Sequence, residues 1–177
     1  EAHFRAIDAA VSLPIVLYNV PSRTASDLLP ETVGRLAKLP NIIGIKDASN
    51  DLGRVSMHAS LAAGEQFTQL SGEDPSSLGH RAMGGTGCIS VTANVAPDLC
   101  AEMHAAFEAG DLTKAQEIDQ RLTHVHRAMF FSPSPGPDKH VLSKMGLCTD
   151  EVRLPIVMPD AATREAIDAA MARAGLS

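Results

Sequence analysis

The segment "NIIGIKDASN" (residues 41–50) determines the fold class of this 177-residue chain. Its residues 42–45 form a short, almost continuous apolar run, which is typical of a strand buried on both faces of a parallel sheet. The run ends at Lys46, although an ammonium group is costly to bury. The commoner interpretation is a surface lysine just past a strand end. The alternative is an amine that apolar surroundings keep neutral, so that it can attack a carbonyl carbon.

Similar runs recur on both sides of this segment. The stretches "PIVLYNVP" (14–21), "QFTQLSG" (66–72) and "GCISVTAN" (87–94) predict three further strands. Helical patterns separate the strands, among them "SDLLPETVGRLAKL" (26–39), for which Asp27 is the predicted N-cap. Strands that alternate with helices indicate βα units and a parallel sheet, so the sequence predicts an α/β fold.

The pattern changes after residue 96, where every predicted element is a helix. These helices fall within residues 96–110, 112–131, 137–147 and 163–176. The clearest is the second, in which apolar residues recur at intervals of three and four. We therefore divide the chain into an α/β region, residues 1–96, and a helical region, residues 97–177.

Composition excludes several classes of protein. The formal charge of -6 and the absence of a basic run argue against a nucleic-acid-binding surface. The 3 cysteines form no CxxC motif, so neither a disulfide framework nor a structural zinc site is predicted. No apolar stretch approaches the roughly 18 residues that a membrane span needs. We expect a cytoplasmic protein, with no metal and no cofactor.

Candidate reactive side chains lie at the predicted strand ends, where parallel α/β folds place their chemistry. Tyr18, the only tyrosine, and Lys46 end neighbouring strands, and a phenol there can pass a proton to or from an amine. Alternatively, Tyr18 packs at the rim of the sheet with its hydroxyl in water. Arg23 follows Tyr18 by five residues and is either a clamp for a substrate carboxylate or a solvated loop arginine.

Three other features receive structural interpretations. The "GGTGC" stretch (84–88) precedes a strand, whereas a dinucleotide-binding loop opens a helix. His124 and His126 are two residues apart on a predicted helix and are expected to be solvated surface residues. Glu73 and Asp74 follow a strand and are expected to cap the next helix.

Four motifs together carry a family resemblance. The segments "YNVPSRT" (18–24), "GIKDAS" (44–49), "LSGED" (70–74) and "ISVTAN" (89–94), in this order and spacing, resemble the dihydrodipicolinate synthase family of class I aldolases, which includes N-acetylneuraminate lyase. The similarity extends along the whole chain. It implies the C-terminal half of a (β/α)₈ TIM barrel, about four βα units, followed by a C-terminal helical region and assembled as a homotetramer.

The resemblance also implies roles for five residues. Lys46 would form a Schiff base with pyruvate, and Tyr18 would relay protons over it. Arg23 would hold the carboxylate of the second substrate, aspartate semialdehyde, and Gly72 and Ile89 would shape the pyruvate pocket. The product would be 4-hydroxy-tetrahydrodipicolinate, a precursor of diaminopimelate and lysine.

The upstream half of such a barrel is expected to precede Glu1, so we expect residues 1–177 alone to be a poor catalyst. Two other functions remain open. One is another pyruvate-imine lyase of the family, acting on N-acetylneuraminate or a 2-keto-3-deoxy sugar acid. The other is a catalytically silent half-barrel that serves as a binding or assembly module.

Overall fold

A computed structural model describes residues 1–176. Four strands, β1 (Ile15–Asn19), β2 (Ile42–Asp47), β3 (Thr68–Ser71) and β4 (Gly87–Cys88), form a parallel sheet in the order β1-β2-β3-β4. Each strand therefore pairs with the next along the chain, as in consecutive βα units of a barrel. The predicted α/β fold class is confirmed.

The helices are spread along the whole chain. They are α1 (Ala2–Ala10), α2 (Pro21–Thr24), α3 (Pro30–Leu36), α4 (Gly53–Leu61), α5 (Ser77–Ala82), α6 (Pro97–Glu108), α7 (Leu112–Ala128), α8 (Gly136–Lys144) and α9 (Ala161–Arg173). Within residues 1–176, no helix is both long enough and apolar enough to cross a membrane. The chain divides into two compact units, one that ends at Ile89 and one that begins at Ser90. Our division after residue 96 is set by the end of the α/β region and stays a prediction.

The first unit is built around β1 and β2. Its core contains Leu17 and Ile45 from the strands, packed against Val33 and Leu36 of α3. Along β1, Leu17 and Asn19 are buried, whereas Val16 and Tyr18 are exposed. Because side chains alternate along a strand, the two faces of the sheet differ. The helices cover one face, and the side chains of Tyr18 and Lys46 lie on the other.

The second unit is helical. Its core contains Val125 of α7, Met129 directly after that helix, Val141 of α8, and Ile167 and Met171 of α9. Two of these helices have side-chain N-caps. Asp111 accepts a hydrogen bond from the backbone N–H of Lys114 at 3.0 Å, and Asp160 accepts one from Thr163 at 2.8 Å.

The fourth strand is shorter than the sequence predicts. Pairing ends at Cys88, and Thr92–Asn94 form a 3₁₀ turn. The hydroxyl of Ser90 accepts a hydrogen bond at 2.8 Å from the backbone N–H of Ala93. Such a local bond competes with the sheet for a backbone donor. The prediction of a strand continuing to residue 94 was therefore wrong.

The predicted N-cap of α3 was also wrong. The helix begins at Pro30, and the extended residue before it is Leu29. The carboxylate of Asp27 instead accepts two hydrogen bonds from Arg54, at 2.8 and 2.6 Å. A bidentate guanidinium is a stronger partner for a carboxylate than one backbone N–H.

His126 is a further correction. We expected a solvated histidine, but only 2% of its surface is exposed, and its Nδ1 lies 2.7 Å from the hydroxyl of Thr92. It faces the core side of α7 beside Val125, whereas His124 is exposed as expected. A histidine with a hydroxyl partner can be buried at modest cost.

Candidate active site

The carboxyl ends of the strands bring the predicted reactive residues to one edge of the sheet. Tyr18 of β1 pairs in register with Lys46 of β2, which in turn pairs with Leu70 of β3. Leu70 then pairs with Gly87 of β4. Paired residues project from the same face of a sheet, so these four form one row.

Lys46 and Tyr18 are in direct contact. The Nζ atom of Lys46 lies 4.1 Å from the centroid of the Tyr18 ring. Lys46 is half-buried, whereas Tyr18 is 50% exposed. Within residues 1–176, the Lys46 amine makes no hydrogen bond or ion pair with a carboxylate. The amine thus lies against the face of an aromatic ring.

Gly72 lies against the Lys46 side chain. A Cβ atom at position 72 would lie 3.1 Å from Cε of Lys46 and 2.7 Å from Cβ of Ala48. The backbone N–H of Gly72 donates to the carbonyl of Asp47 at 2.8 Å, which keeps the segments after β3 and β2 close together. Only glycine allows this approach, so it forms part of the wall beside the amine.

Ile89 and Arg23 lie at the same edge of the sheet. The backbone N–H of Ile89 donates to the carbonyl of Ser71 at 2.9 Å, which places Ile89 beside the end of β3 with 47% of its surface exposed. Arg23 lies on α2, directly after β1, and is exposed. Its guanidinium is therefore accessible to a ligand that approaches from solvent.

Glu73 belongs to this site, although the sequence suggested a capping role. Its carboxylate makes no cap bond; the hydroxyl of Ser71 accepts the hydrogen bond from the Glu73 backbone N–H at 3.1 Å. Burial, and to a lesser extent the charge of Asp74, raises the pKa of Glu73, while the charges of Lys46 and Arg23 act in the opposite direction. Glu73 thus lies within the electrostatic field of both cations. Its position directly after Gly72 was the signal available from sequence.

Comparison with known proteins identifies the family. The family model described as "Dihydrodipicolinate synthetase family" matches residues 1–174. The chain belongs to this family. A 4-hydroxy-tetrahydrodipicolinate synthase of Hyphomonas neptunium is 68% identical to this chain over 176 residues. A synthase of the same name from Ruegeria pomeroyi is 52% identical. The resemblance seen in the four motifs is therefore confirmed.

Solved structures give the same result for the fold. The dihydrodipicolinate synthase of Thermotoga maritima superposes with a TM-score of 0.94 at 36% identity, over 99% of this chain and 61% of that one. The synthase of Acinetobacter baumannii, solved in complex with pyruvate, superposes with a TM-score of 0.93 at 38% identity, over 99% of this chain and 60% of that one. Likewise, this chain spans 60% of the length of the Hyphomonas and Ruegeria relatives.

Proposed function

We propose that the protein condenses pyruvate with aspartate semialdehyde to give 4-hydroxy-tetrahydrodipicolinate. The contact of the Lys46 amine with Tyr18, at the carboxyl ends of parallel strands in a chain of this family, carries the proposal. The pyruvate bound in the Acinetobacter relative supports the choice of first substrate.

The first half of the reaction takes place at Lys46. Its neutral amine attacks the keto carbon of pyruvate, and the carbinolamine loses water to form a protonated imine. The positive imine nitrogen withdraws electrons, so a methyl proton leaves and an enamine forms. Tyr18, whose ring centroid lies 4.1 Å from Nζ, can donate a proton to the departing hydroxyl and accept one later.

The second half joins the two substrates. The enamine carbon attacks the aldehyde carbon of aspartate semialdehyde, and the aldehyde oxygen takes up a proton. The amino group of that substrate then replaces Lys46 at the imine carbon, which closes the ring and releases the enzyme amine. Arg23 is exposed beside the strand ends and would bind the carboxylate of the second substrate. Gly72 and Ile89 would bound the space around the pyruvate carbon atoms.

Chemical trapping tests the proposal. The complete protein is incubated with pyruvate, reduced with borohydride and digested, and mass spectrometry locates the adduct. We expect the adduct on Lys46 and its loss in Lys46→Ala. Lys38→Ala, which removes an exposed lysine of the same unit, is the matched control and should retain it. An unsubstituted protein without adduct at Lys46 would disprove the imine mechanism and leave the silent module as the better description.

Arg23 discriminates between the second substrates. A carboxylate calls for a cation, whereas a polyhydroxylated sugar acid calls for neutral hydrogen-bonding groups. We expect Arg23→Ala to raise the KM for aspartate semialdehyde at least about tenfold, the size of one charge-assisted hydrogen bond, without slowing adduct formation with pyruvate. Arg35→Ala, which removes an exposed arginine that pairs with Glu1, is the control. An unchanged KM would favour another lyase of the family.

A further inference from the structure

Directly behind the Tyr18–Lys46 contact, a second pair of side chains joins the same two strands. Asn19 and Asp47, the next residues along β1 and β2, are partners in the sheet register. Because side chains alternate, both point to the face opposite Tyr18 and Lys46. The amide Nδ2 of Asn19 donates to Oδ1 of Asp47 at 3.1 Å, and Asn19 is 2% exposed.

The Asn19 amide is held in a single orientation. Its Nδ2 also donates to Oδ1 of Asp27 at 3.0 Å, and its Oδ1 accepts from the backbone N–H of Leu28 at 3.0 Å. Reversing the amide would turn its carbonyl oxygen toward two carboxylates and its NH₂ group toward a backbone donor. The two donor hydrogens and the acceptor are therefore matched to their partners only in the observed orientation.

The partners of Asn19 are themselves fixed. Asp47 accepts hydrogen bonds at 3.0 Å from the backbone N–H and from the hydroxyl of Ser49, and its carbonyl oxygen accepts from Gly72. Asp27 is anchored to α4 by the two bonds from Arg54. The network thus joins β1, β2, the start of α4 and the glycine beside the lysine.

The backbone pairing between β1 and β2 is interrupted by one extra residue, so the register of the two strands differs before and after it. Ile15 pairs with Ile42, but Val16 pairs with Gly44, so Ile43 is an extra residue with no partner in β1. A bulge of this kind changes which residues are opposite each other beyond it. The side-chain bond between Asn19 and Asp47 lies beyond the bulge, at the end where Tyr18 meets Lys46, and favours one register there.

We propose that Asn19 and Asp47 are positioning residues, whose side-chain hydrogen bond across the sheet holds the amine of Lys46 against the ring of Tyr18. The inference rests on the proposed function, because it assigns these residues to formation of the pyruvate imine. They act through the strands and do not contact the substrate. A displacement of about 1 Å at a reacting group can cost about 100-fold in rate, so this control of register is important for catalysis.

A double-mutant cycle tests the proposal in the complete protein. The variants are Asn19→Ala, Asp47→Ala and the double variant, and the readout is the rate of imine trapping by borohydride per folded molecule. We expect each single variant to trap pyruvate about 10- to 100-fold more slowly, and the double variant no more slowly than the slower single one. Asn41→Ala is the matched control. It removes a side-chain amide that bonds Asp8 and Val11 near the other end of β2, and it should keep the full rate.

A conservative variant separates positioning from stability alone. Asp47→Asn keeps the carbonyl oxygen that accepts from Asn19, so its rate should stay within about threefold of the unsubstituted protein. Unfolding by urea is measured on every variant, and serine replaces alanine at either position where alanine prevents folding, with the same expected loss. Three results would each overturn the inference. The losses of the two single variants could be independent and additive, the Asp47→Asn rate could be as low as that of Asp47→Ala, or the variant rates could equal that of Asn41→Ala. Those results leave the proposed function intact, whereas an unsubstituted protein that traps no pyruvate overturns both.

Discussion

Replacing Gly72 with Ala is the most direct test of how tightly the lysine is enclosed. The new Cβ atom would lie 2.7 Å from Cβ and 3.3 Å from Cα of Ala48, and 3.1 Å from Cε of Lys46. Ala48 is buried, and its backbone N–H donates to the carbonyl of Asn19 at 2.8 Å, so it can move only with the backbone. The added methyl group must therefore displace either the segment after β2 or the lysine.

The magnitude follows from that overlap. Overpacking of this kind costs about 1–3 kcal/mol, and we expect the free energy of unfolding of Gly72→Ala to fall by that amount. Displacement of Lys46 by a fraction of an ångström should also slow imine trapping about tenfold. Urea denaturation followed by circular dichroism measures the first effect, and timed borohydride trapping with pyruvate measures the second.

Gly87→Ala is the matched control, because position 87 lies in the same row of the sheet as Lys46. There the new Cβ would lie 3.4 Å from Cδ2 of Leu70, an ordinary contact with the end of a flexible side chain. We expect a change below about 0.5 kcal/mol. If Gly72→Ala were as stable as this control and trapped pyruvate at the unsubstituted rate, the described packing around Lys46 would be wrong.

Two further predictions concern the pH dependence of stability. Arg54 holds the pKa of Asp27 at about 2, so this pairing stabilises the fold above about pH 4 and is lost as the pH falls toward 2. Asp27→Asn should lower the free energy of unfolding by only about 1 kcal/mol at neutral pH, because the Asp27–Arg54 pair is partly exposed and screened by solvent. Urea denaturation measures this change, and an unchanged free energy of unfolding would contradict the prediction. Burial lowers the pKa of His58 below 6.5, so the unfolded chain binds a proton first and stability falls as the pH drops below 6.5. The free energy of unfolding should therefore fall less between neutral pH and about pH 5.5 in His58→Gln than in the unsubstituted protein. An equal fall in both proteins would refute the assignment of this pH dependence to His58.

Local sequence patterns predicted the four strands and the longer helices in order, but not the one-turn helix α2 (Pro21–Thr24). Apolar runs such as residues 42–45 and the helical spacing of α7 depend on residues within one element, and their interpretation held in the structure. The prediction failed at the fourth strand, where the run "GCISVTAN" has strand-like composition but the Ser90 side chain bonds the local backbone. Composition does not show which of two hydrogen-bond partners a backbone group chooses.

The sequence by itself determined the parallel α/β class and the position of Tyr18 and Lys46 near the ends of two strands, because strands and helices follow from short-range apolar periodicity. The tertiary structure decided the side-chain partners, such as Arg54 for Asp27 and Asp47 for Asn19. These partners are 27 and 28 residues apart in sequence. Which side chains meet across two strands depends on the register beyond the bulge at residue 43, and register is a property of the paired strands, not of either one alone.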